Sequence, residues 1–130
     1  MHDTIEDIFY KVARHLLVQG KRSYGSLPDQ VGEGESCLYR DGHGASCAVG
    51  CLINDSEYSA ELEGNSVRSS DVVEYALKAS GVDTTEDVLE MLLGLQRVHD
   101  TIPAHHWRAA LCGFGFALGF RPYQLIPDGE

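Results

Sequence analysis

Residues 37–53 read Cys37-Leu38-Tyr39-Arg40-Asp41-Gly42-His43-Gly44-Ala45-Ser46-Cys47-Ala48-Val49-Gly50-Cys51-Leu52-Ile53. The first four are short and β-compatible. Asp41-Gly42-His43-Gly44 is a turn sequence with two glycines free to take positive φ. Ala45 to Ile53 then reads as a returning arm. Cys47, Val49, Cys51 and Ile53 share one face, and Ser46, Ala48, Gly50 and Leu52 share the other. Both faces are small or apolar, which suits a strand covered by helices. The stretch therefore predicts a β-hairpin. Two strands alone are marginal in water, so helices must pack against them.

Those helices are legible on either side. Ile5, Ile8, Phe9, Val12, Ala13, Leu16 and Leu17 recur at helical spacing, with Asp3 or Thr4 to cap the first amides and Gly20 to end the run. Residues 21–36 are polar, rich in Gly and Ser, and read as a long surface loop. Beyond the hairpin, residues 54–70 form another polar connection with Tyr58 and Leu62 as anchors. A helix starts at Ser70 or Asp71, buries Val72, Val73, Ala76 and Leu77, and stops at Gly81. Thr84 or Thr85 opens the next, whose Val88, Leu89, Leu92, Leu93, Leu95 and Val98 are dense enough for a central position. Pro103 fits the first turn of a last helix through Trp107, Leu111, Phe114 and Leu118. Gly113, Gly115 and Gly119 weaken that helix and would let another backbone approach it closely. The expected fold is α+β, about four helices around one short antiparallel hairpin. Residues 1–130 read as a single compact domain, with 121–130 an extended C-terminal tail.

The chain carries 20 Asp and Glu against 10 Lys and Arg, a formal charge of −10. Such an excess repels phosphates and disfavours nucleic-acid binding. The acids are unevenly placed. Ten lie between Asn54 and Glu90, opposed there only by Arg68 and Lys78. Asp55, Glu57, Glu61, Glu63, Glu74, Glu86 and Glu90 are the candidate binding residues of this region. They make a surface suited to a basic protein partner. The most apolar stretch, Ala109–Phe120, is too short and too rich in glycine to cross a membrane. The acidic, amphipathic start is unlike a signal peptide, so a cytoplasmic location with reduced thiols is expected.

Three constellations suggest chemistry. Cys37, His43, Cys47 and Cys51 lie within 15 residues, but no C-x-x-C pair occurs. On a hairpin His43 and Cys47 would be about 13 Å apart along the strand, too far for one zinc ion. Small buried core thiols, or a redox pair of Cys37 with Cys47, are the other readings. In the second constellation Cys47 attacks as a nucleophile, His99 deprotonates it, and Gln96 or Asp100 orients the imidazole. Catalytic thiols need partly exposed, positive surroundings, and this strand reads as buried in an acidic chain. The third pairs His99-Asp100 with His105-His106, as metal-dependent phosphohydrolases pair His and Asp. The further ligands such enzymes carry on long helices are missing here. No cofactor motif and no metal site is expected.

The 37–53 stretch is followed by Asp55, Tyr58, Glu63-Gly64 and Leu95-Gln96-Arg97-Val98-His99-Asp100. Together these resemble a family of small uncharacterised proteins of bacteriophages, prophages and bacteria. That family shares a Cys-Ala-Val-Gly core, a downstream Tyr and Glu-Gly, and a later Leu-Gln…His-Asp. The resemblance covers roughly residues 35–108. It implies an intracellular protein of a mobile element or its host, and no assigned reaction. The expected function is that of a non-enzymatic acidic interaction protein engaging a host protein or defence complex. The alternative is a small cysteine-dependent enzyme using Cys47 and His99.

Overall fold

The computed structural model describes residues 4–25, 36–42, 44–63 and 71–120. Four α-helices lie among them: α1 (Ile5–Gln19), α2 (Asp71–Ala79), α3 (Glu86–Thr101) and α4 (Trp107–Ala117). The expected tail at 121–130 lies outside the described residues.

Helix α1 forms where its apolar stripe predicted. Thr4 Oγ1 accepts the Asp7 N–H (3.1 Å) and Asp7 Oδ2 accepts the Thr4 N–H (3.2 Å), a reciprocal cap that satisfies two otherwise orphaned donors. At the far end the Gly20 N–H donates to the Leu16 carbonyl. Ile8, Phe9, Val12, Ala13 and Leu16 are buried against α3 and α4. Helix α3 is the centre of the molecule. Thr85 caps it, and Val88, Leu89, Met91, Leu92, Leu95, Val98 and His99 are all buried along it. A short 3₁₀ turn at Ala104–His106 follows Pro103 and leads into α4. Trp107, the first residue of α4, is fully buried, and its indole N–H donates to the Ile102 carbonyl.

The α+β expectation is overturned: the chain is mainly helical and no β-hairpin spans residues 37–53. Among the described residues β pairing is limited to Tyr24–Gly25 against Ser36–Cys37 and one isolated bridge, Arg40 to Ser46. The segment turns back on itself through Asp41 and Ala45, and Gly42 and Gly44 do take positive φ (80° and 98°). What fails is the second arm. From Cys47 onward the backbone coils, with Cys51 N–H donating to Cys47 O and a 3₁₀ turn over Gly50–Leu52. Cys47, Ala48, Val49, Gly50, Leu52 and Ile53 are all buried, and Cys51 partly, so most of this coil is covered. A short run that is apolar on both faces fits a buried strand and a buried helical turn equally well.

Of the α4 glycines expected to admit a close neighbour, Gly115 is buried and Gly113 is exposed. A Cβ on Gly113 would meet nothing within 4 Å, so no neighbour approaches there. The tight contacts are at Gly50, where a Cβ would lie 2.1 Å from the Tyr39 carbonyl oxygen, and at Gly94, 2.3 Å from the Phe114 ring. Gly94 thus lets Phe114 lie across α3. Among the described residues no helix is long and apolar enough to cross a membrane.

Candidate functional site

The Leu95–Asp100 segment occupies the last turns of α3, and three of its side chains tie the 47–50 turn to the loop after α1. The Val49 N–H donates to Gln96 Oε1 (3.2 Å), and Gln96 Nε2 donates to Asp100 Oδ1 (2.9 Å). His99 Nδ1 lies 2.7 Å from the same carboxylate oxygen, and His99 Nε2 accepts the Ser23 N–H at 2.9 Å. A backbone amide can only donate, so Nε2 carries no proton and Nδ1 donates to Asp100. The imidazole is fully buried and stacks on Trp107, with ring centroids 5.6 Å apart. Arg22 closes the same corner by donating to the His99 and Ile102 carbonyls, placing a cation at the end of α3 where the helix dipole favours one.

Cys47 is fully buried, and its sulfur accepts the Gly50 N–H at 3.2 Å. Burial pushes its thiol far above the ordinary range, with the two backbone amides beside it opposing only in part. Burial likewise raises Cys51 to about 12, and its thiol donates to the Ala48 carbonyl. No hydrogen bond joins Cys47 to His99. Asp100 does orient the imidazole, but both ring nitrogens are committed, one to that carboxylate and one to the Ser23 amide. The nucleophile and its base are therefore not assembled. Among the described residues no three of His, Cys, Asp and Glu come together as metal ligands. His43 and the Cys37 side chain lie outside the described residues. His105 and His106 are exposed, with their rings beside each other.

Raised thiols have a consequence for stability. A folded state that resists thiol ionisation loses ground once the unfolded chain ionises. For Cys51 that window opens near pH 9 and closes near 12. Stability is therefore expected to be flat across this group's range below pH 9 and to fall above it. Cys47→Ser with Cys51→Ala should remove much of the slope, as read by denaturant titration at pH 7.5, 9 and 10 (roughly the working range around a free thiol).

The seven acids predicted to bind a partner divide into distinct environments. Glu63 is turned inward: its carboxylate accepts the Tyr39 N–H (2.8 Å), the Arg40 N–H (3.2 Å) and the Tyr58 hydroxyl (2.6 Å). Burial, and then that bond to Glu63, raise the Tyr58 phenol to about 12. Asp55 pairs with Arg40 at 2.6 Å, and the same guanidinium lies over the Tyr58 ring. Glu74 pairs with Lys78 along α2. Glu57 is partly exposed, and Glu61, Glu86 and Glu90 are exposed. Of the seven, Glu63, Asp55 and Glu74 thus each hold a partner within the chain. The structure also gives Glu63 and Tyr58, two elements of the family-like pattern, a role in holding the 39–40 backbone.

The surface of the described residues carries a depression of about 550 Å³ lined by Arg14, His15, Val18, Gln19 and Lys21, and two further ones. One, of about 640 Å³, is polar and is lined by His15, Arg40, Ser46, Cys51, Asn54 and Asp55 among others. The other is a groove of about 490 Å³ between the start of α1, α3 and the end of α4. Ile5, Met91, Phe114, Leu118 and Phe120 line it, and among the described residues its charged members are Asp87 and Glu90. Its floor is braced from below by Phe9, whose ring lies 6.3 Å from Phe114 and 5.3 Å from Phe120. The sequence signal for this groove was the uncharged run Ala109–Phe120, which reads as core until its exposed side is seen. Phe116 and Leu118 are in fact 53% and 39% exposed.

No protein-family model, curated protein or solved structure matches the chain.

Proposed function

We propose that this is a non-enzymatic acidic interaction protein that binds a protein partner through a basic surface on that partner. The observation that carries the reading is a set of exposed acids in and just before the first turns of α3, with no counter-ion among the described residues. Asp83, Asp87 and Glu90 are exposed, and no salt bridge or side-chain hydrogen bond engages them among the described residues. Placed in a chain of net charge −10, such carboxylates attract a cationic surface and speed its encounter. The alternative, a thiol enzyme built on Cys47 and His99, lacks support, because the thiol is sequestered and the imidazole holds two structural bonds. The family-like pattern supports a cytoplasmic role in a phage, prophage or its host, with a host factor or defence complex as the partner.

The test is affinity capture from a bacterial lysate with the wild type and Asp83→Asn/Asp87→Asn/Glu90→Gln in parallel, at low and high salt. The expected result is a partner retained by the wild type at low salt and lost by both the variant and high salt. Identical retention by wild type and variant, indifferent to ionic strength, would overturn the reading.

A further inference from the structure

We infer that the groove between α1, α3 and α4 receives a large apolar side chain from a partner segment that carries Lys or Arg within a turn of it. This inference rests on the acidic-interaction reading and names where, and by what chemistry, the partner is held. The groove's centre is apolar and its rim is anionic, the layout of an interface anchor site. Asp87 and Glu90 are three residues apart on α3, so their carboxylates stand on one side of the helix, next to Met91. Neither has a cation or hydrogen-bond partner among the described residues. By contrast Asp55, Glu63 and Glu74 are all paired within the chain.

The floor is built in advance of any ligand. Gly94 admits Phe114 across α3, and Phe9 supports both Phe114 and Phe120 from the core side. A site already shaped loses little freedom on binding. Its size, about 490 Å³, falls in the range of pockets that take a bulky side chain. Charge selects the occupant. A second copy of this chain would bring another −10 to the same place. A basic segment supplies the missing counter-ions while its apolar residue fills the centre.

The experiment uses the full chain and a fluorescent ten-residue peptide with Leu and Phe set among Lys and Arg. Two control peptides replace Leu and Phe by Ser, or Lys and Arg by Glu. The protein variants are Leu118→Lys, Asp87→Asn/Glu90→Gln, and Asp71→Asn as an exposed acid outside the groove lining. Melting curves check that each is folded, and Leu118 lies at an exposed helix end. The expected result is that only the basic, apolar peptide binds. Leu118→Lys and Asp87→Asn/Glu90→Gln should each weaken it about tenfold or more, roughly the loss of one interface anchor. Asp71→Asn should leave it within twofold. If the Ser peptide binds as well and all acidic variants weaken it alike, the groove is overturned while the broader acidic reading survives. If no basic peptide binds at any salt concentration, both fall. A dimer that Leu118→Lys disperses, or a shift of Tyr123 signals on that substitution without peptide, would instead give the groove to a second copy or to the chain's own end and overturn the inference.

Discussion

Gly50→Ala is expected to destabilise the fold by about 3 kcal/mol or more, the upper range for overpacking a buried site. The added methyl would sit 2.1 Å from the Tyr39 carbonyl oxygen and 2.8 Å from its carbon. Backbone cannot rotate away as a side chain can. Nor is Tyr39 free to move, since its carbonyl accepts the Cys47 N–H and its own N–H donates to Glu63. The glycine of the Cys-Ala-Val-Gly sequence is thus required by a backbone crossing. A domain of this size has about 5–15 kcal/mol of stability in total, so the loss is readily seen in a denaturant midpoint. Gly113→Ala is the matched control. It lies in α4 with open space around it, so alanine there should stabilise by up to ~1 kcal/mol. Equal effects at the two glycines would contradict this account of residue 50.

His99→Ala is expected to cost about 3–4 kcal/mol, combining a buried cavity with stranded polar groups. Truncation removes the ring that stacks on Trp107 and leaves the Ser23 amide without its acceptor. The Asp100 carboxylate loses one donor and keeps Gln96. Two readouts separate this role from a loss of packing alone. The denaturant midpoint should fall, and the Ser23 amide should exchange far faster than amides in the middle of α1. A variant with normal stability and a protected Ser23 amide would rule the brace out.

The helices were readable because their signals are local. The α1 stripe with its Thr4 cap, the Thr85 cap and the dense apolar face of α3 each depend on residues within a few turns. The 37–53 stretch was not readable in the same way. Its alternation fits a strand on paper, but a segment apolar on nearly every side shows no polar face to declare a period. Gln96, His99 and Asp100 are close in sequence, so their mutual hydrogen bonds were legible as a unit. Where His99 Nε2 points was not, because Ser23 is 76 residues away. Glu63 illustrates the limit for charge. A carboxylate counted in an acidic run looks solvated until two backbone amides and a tyrosine hydroxyl are seen to converge on it. The groove depended on the same kind of distant meeting, with Ile5 and Phe120 brought from far apart in the chain to Met91 on α3.

The most direct measurement is the rate at which Cys47 is alkylated at neutral pH, resolved by mass spectrometry and compared with the denatured chain. A fully buried thiol, with no base hydrogen-bonded to it, should react only as fast as the molecule opens, many orders of magnitude below the denatured rate. Rapid labelling in the folded protein that depends on His99 would contradict a structural role for both residues and return them to catalysis.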